Sequence, residues 1–107
     1  MRYVLAAAAI VLALGTGPAS ALCVEGLGCT DTEKFTPEQL EAQTCEVLWE
    51  TRNTMLFEQH FCFQERAAAD KFGNDACTID NMDYLQFNGF EQSNFAAISK
   101  AEAAKSC

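Results

Sequence analysis

The chain has 107 residues, half of them hydrophobic, and sets 15 Asp and Glu against 7 Lys and Arg for a formal net charge of −8 at pH 7. This excess of negative charge excludes nucleic acid, whose phosphates need basic partners, and repels anionic membrane surfaces by the same sign. Six cysteines in so short a chain point to a disulfide framework in place of a large apolar core.

Residues 1–21, MRYVLAAAAIVLALGTGPASA, hold one basic residue (Arg2), an apolar run from Tyr3 to Leu14, breakers at Gly15, Gly17 and Pro18, and small residues at Ala19 and Ala21. They predict a secretory signal peptide cleaved after Ala21, the run being shorter than the ~20 residues of a membrane span. Loss of Arg2 leaves the remainder one unit more acidic. All six cysteines follow the cleavage point and are expected to pair in an oxidising space, periplasmic or secreted, with no membrane insertion of the mature chain.

Residues 22–43 read as a flexible N-terminal arm ending in a short helix. Two glycines lie between Cys23 and Cys29 without apolar periodicity, and Thr36-Pro37-Glu38-Gln39 then supplies an N-cap, a proline at the first helical position and a capping-box glutamine. That helix is expected to reach about Gln43. Thr44 caps the next, to about Gln59, with Leu48, Met55 and Leu56 on one face and Trp49 bordering it. A third helix is predicted over about Gln64 to Phe72, ending at Gly73, and after an Asp- and Asn-rich loop a fourth starts at the Asn88 cap and runs from Gly89 to about Lys105. No strand-like alternation is visible. The predicted class is therefore all-α: a small disulfide-stapled domain of three to four short helices, its long first and last helices antiparallel.

Residues 44–107 carry Cys45, Leu48, Trp49, Arg52 and Asn53, then Phe61-Cys62-Phe63, Phe72-Gly73, Cys77, and Ile98 and Glu102 ahead of Cys107. This order resembles the YARHG-type domain of bacterial secreted proteins, in its small four-cysteine α-proteobacterial version. The resemblance implies a helical domain in an exported protein and no particular activity. Leu56-Phe57-Glu58-Gln59-His60 aligns with the family's naming stretch without retaining its letters, and His60 stands where the family has glycine. The second helix is thus expected to end on a histidine in the left-handed region, which histidine enters more readily than most residues.

Six cysteines allow 15 pairings. Cys23 and Cys29, separated by a glycine-containing spacer, are expected to pair locally. Antiparallel packing would set Cys45, at the start of the long helix, beside Cys107, beyond the end of the last. Cys62 and Cys77 would then close around the third helix. Pairing Cys45 with Cys62 would have to bring together the ends of a helix roughly 20–25 Å long, which a bond needing Cα atoms within about 7 Å does not permit unless the chain doubles back.

Arg52 falls on the apolar stripe, four residues after Leu48 and three before Met55, and Asn53 follows Trp49 by four. Arg52 is expected to tie helices together through carbonyls or a carboxylate such as Asp70 or Glu102, and Asn53 to hydrogen-bond the backbone of a loop. The competing reading makes Arg52, Asn53 and Trp49 binding residues at a cleft. His60 reads as a turn residue and the Asp75–Asp83 loop as solvated: paired cysteines offer no thiolates, and the aspartates miss calcium-loop spacing. Of Phe57, Phe61, Phe63, Tyr84, Phe87 and Phe90, most are expected in the core.

The reading that follows is a monomeric, non-catalytic interaction or cell-envelope binding module with an unidentified envelope or protein partner and no metal or cofactor. The alternative is a small hydrolase or anion-binding enzyme using Arg52 with a carboxylate.

Overall fold

The computed structural model describes residues 22–107; the expected signal peptide, residues 1–21, lies outside them. A two-stranded antiparallel hairpin, β1 (Cys23–Val24) and β2 (Gly28–Cys29), precedes four helices: α1 (Pro37–Glu41), α2 (Cys45–Glu58), α3 (Arg66–Phe72) and α4 (Gly89–Ala104). One 3₁₀ turn, Met82–Tyr84, interrupts the loop before α4.

The helix starts follow from local chemistry. The Thr36 hydroxyl accepts from the Gln39 amide while the Gln39 carboxamide accepts from the Thr36 amide, and Asn88 and Glu91 repeat this reciprocal cap at α4. Thr44 caps α2 through the Val47 amide. The helix ends are as local. His60 has φ 64°, and its carbonyl accepts from the amides of both Thr78 and Ile79, so the left-handed residue also anchors the returning loop. Gly73, at φ 82°, closes α3.

α2 and α4 pack antiparallel, and the three disulfides are Cys23–Cys29, Cys45–Cys107 and Cys62–Cys77. Cys45–Cys107 joins the start of α2 to the residue just past the end of α4. The core between the two helices holds Leu48 and Met55 of α2 and Ile98 of α4. A second cluster, Leu56, Phe63 and Ala68, lies under α3.

The all-α class holds, with one two-stranded hairpin added, and two expectations are corrected. The segment before α1 is a built part of the core: Leu27 and Phe35 are buried with Leu40 against Leu48, Met55 and Ile98, because α2 and α4 alone leave one side of their apolar seam uncovered. Strand pairing exists in the β1–β2 hairpin and in a single parallel bridge between Phe61 and Ile79. These stretches are too short to show alternation, and the disulfides beside them hold their register. Of the six aromatics expected mostly in the core, Phe57, Tyr84 and Phe90 are exposed, Phe61 and Phe87 are half-buried, and Phe63 alone is buried, the main core being made instead of Leu27, Phe35 and Leu40 with Leu48, Met55 and Ile98.

Candidate functional site

The site is built where α2 and α4 cross. Arg52 stands one turn after Leu48, and Glu102 one turn after Ile98; Leu48 and Ile98 are both fully buried in the same cluster. Because the helices are antiparallel and these turns adjoin, the charged side chains meet. Arg52 Nε donates to Glu102 Oε1 at 2.6 Å and Nη2 donates to Oε2 at 3.3 Å. Their side chains are 23% and 12% exposed, so the two-point contact is largely withdrawn from water. Asp70, the other carboxylate considered for Arg52, lies instead 3.9 Å from Arg66 on an exposed surface.

Above the ion pair opens a cleft of about 720 Å³ lined by Glu46, Trp49, Arg52, Glu65, Ser99 and Glu102, with the Cys45–Cys107 disulfide at one end. Trp49 is half-buried, its ring 6.3 Å from that of Phe72 and tilted against it. Three carboxylates share this cleft with one guanidinium, and that guanidinium is already matched by Glu102. The cleft is thus negative in character. Its chemistry suits a cationic group resting on the indole face more than an anion.

Asn53 is buried, but its amide donates to the Trp49 carbonyl one turn back in its own helix at 2.9 Å. It does not hold the loop it was expected to hold, nor does it line the cleft beside Trp49 and Arg52. The loop-binding role falls to two other asparagines. Asn94, completely buried, accepts from the Phe35 amide at 2.9 Å and donates to the carbonyls of Thr30 at 3.0 Å and Glu33 at 2.7 Å. Asn74 accepts from the Phe63 amide and donates to its carbonyl, at 2.8 and 3.0 Å. The signal for Asn94 was present in the sequence: it lies one turn before Ile98, a polar residue on an apolar stripe, as Arg52 is.

His60 lies away from the cleft, beside Glu58, Gln59, Thr78, Ile79 and Gln86. Among the described residues no three metal-capable side chains gather into one group, the Asp75–Asp83 loop included, and no helix is long and apolar enough to cross a membrane.

Fold and site together define a small helical domain closed by three disulfides, with an acidic, tryptophan-lined cleft over a matched ion pair. No protein-family model matches the chain, and neither a curated protein nor a solved structure matches it.

Proposed function

We propose that the mature chain is a non-catalytic interaction module of the periplasm or the secreted space, with residues 44–107 forming a YARHG-like domain, and that it takes a basic side chain of an envelope protein into the Trp49 cleft. The observation that carries this reading is the two-point Arg52–Glu102 contact. It occupies the guanidinium that an anion would need and leaves Glu46 and Glu65 facing the cleft beside an aromatic ring. The three disulfides support an oxidising compartment.

The alternative, a small hydrolase or anion-binding enzyme, draws on the same cleft because Arg52 and a carboxylate do share it. It requires Arg52 to leave Glu102 when substrate arrives. The test is capture from a periplasmic extract by the disulfide-bonded protein, compared with Trp49→Ala and Glu46→Lys/Glu65→Lys. A basic partner held by the parent and lost from both variants, each shown to be folded by circular dichroism at the capture temperature, is the expected result. Equal capture by all three, or hydrolytic turnover that vanishes in Arg52→Met, overturns the proposal.

A further inference from the structure

The basic residues within 22–107 are Lys34, Arg52, Arg66, Lys71, Lys100 and Lys105. Three of them are matched to acids: Arg52 to Glu102, Arg66 to Asp70, and Lys71 to Glu50 at 3.0 Å. Lys34, Lys100 and Lys105 make no ion pair among the described residues, and all three border one groove. Lys105 is the C-cap of α4, where a cation suits the helix dipole, but Lys34 and Lys100 serve no cap and no core contact, so three cations gathered at one place on a strongly acidic protein exceed what the fold uses.

The groove, of about 500 Å³, runs between α1 and α4 on the side of α4 opposite the Trp49 cleft. Phe35, Pro37 and Leu40 form one wall and Ala97, Ala101 and Ala104 the other. Along α4, Lys100 and Lys105 fall on either flank of the line through Ala97 and Ala104, at 100° per residue, while Lys34 approaches from the loop before α1. Apolar walls under a cationic rim are complementary to a molecule with an apolar tail and a negative head. Glu41 is the one acid on that rim, so the local balance stays positive.

We infer that this groove binds a single-chain anionic amphiphile, a free long-chain carboxylate, with its tail along the alanine face of α4 and its head among Lys34, Lys100 and Lys105. The volume lies within the ~300–1,000 Å³ of small-molecule sites. An acidic protein partner is disfavoured by the net charge of the whole chain, which repels a large polyanion over its full approach; a small monoanion meets mainly the local cations.

The experiment is calorimetric titration of the disulfide-bonded protein with dodecanoate below its micelle concentration, beside dodecyltrimethylammonium (same tail, opposite head) and acetate (head without tail). Dodecanoate is expected to bind at least about tenfold more tightly than either, a preference carried jointly by tail burial and head charge. Lys34→Gln/Lys100→Gln/Lys105→Gln should lose that preference at unchanged melting temperature, and Ala97→Trp should block binding by filling the groove. Should Ala97→Trp fail to fold, Lys100→Glu serves in its place with the same expected loss. Equal binding of the two amphiphiles, an unaffected lysine triple variant, or an Asp/Glu-rich peptide that displaces dodecanoate at lower concentration would overturn the assignment, the last by giving the groove to a protein.

Discussion

Arg52 of α2 and Glu102 of α4, 50 positions apart in the chain, meet in a two-point contact whose shorter arm is 2.6 Å. Each alone would leave a largely desolvated charge at the helix crossing. Arg52→Met should therefore destabilise the protein by about 2–3 kcal/mol, below the ~3–5 kcal/mol of a fully buried pair because both side chains keep some exposure. Adding Glu102→Met should recover most of that loss. Denaturant unfolding of the two single variants and the double variant closes the cycle, and purely additive losses would show that the two charges are not coupled.

Asn94 supplies the backbone partners that the loop between β2 and α1 lacks. Removing its amide in Asn94→Ala strands the Phe35 amide and two carbonyls, at a cost of about 3 kcal/mol. Hydrogen exchange should report the loss first at Phe35, with the centre of α2 still protected until global unfolding.

His60, at φ 64°, holds a conformation in which a side chain is strained. His60→Val should lower stability by about 1–2 kcal/mol, since a β-branched residue resists the left-handed region. His60→Gly should be neutral or slightly stabilising, relief of strain being offset by the greater freedom of glycine in the unfolded chain. Thermal melts of the two variants against the parent check the order.

The disulfides should differ in worth with the chain they close. Cys45–Cys107 spans 62 residues, Cys62–Cys77 spans 15 and Cys23–Cys29 spans 6. Loop-closure entropy gives about 4, 3 and 2 kcal/mol in that order. Pairwise Cys→Ala variants, unfolded in urea, should rank the same way.

Glu58 has its carboxyl pushed up to about 7, chiefly by desolvation and then by the nearby Glu91 and Asp31. From the ordinary value of 4.5 up to about 7, the folded state binds more protons at this site than the unfolded state does. Its contribution to stability therefore falls as pH rises through that window and levels off above it. Glu58→Gln, which keeps the neutral shape, should flatten this part of the profile and raise stability at pH 8. A pH series of urea midpoints for both proteins measures it.

Much of this molecule is legible in the linear order. The four helices start where Thr36, Thr44 and Asn88 offer caps, or end where His60 and Gly73 reverse the chain, because these are interactions over three or four residues that need no partner from afar. The pairing of Cys45 with Cys107 follows from the two long helices once they are taken as antiparallel. The helical stripe likewise marks Arg52 as a residue needing a partner, but Asp70 and Glu102 remain equal candidates until Leu48 and Ile98 pack and bring one of them within reach. Tertiary structure decided the rest. Leu27 and Phe35 enter the core only because the α2–α4 seam is open on that side, and Asn94, more than Asn53, meets the backbone of Thr30, Glu33 and Phe35 because α4 is the helix that loop crosses. Lys34, Lys100 and Lys105 share a groove for the same reason: the loop before α1 is laid along α4 by contacts between residues about 60 positions apart, which no local pattern encodes.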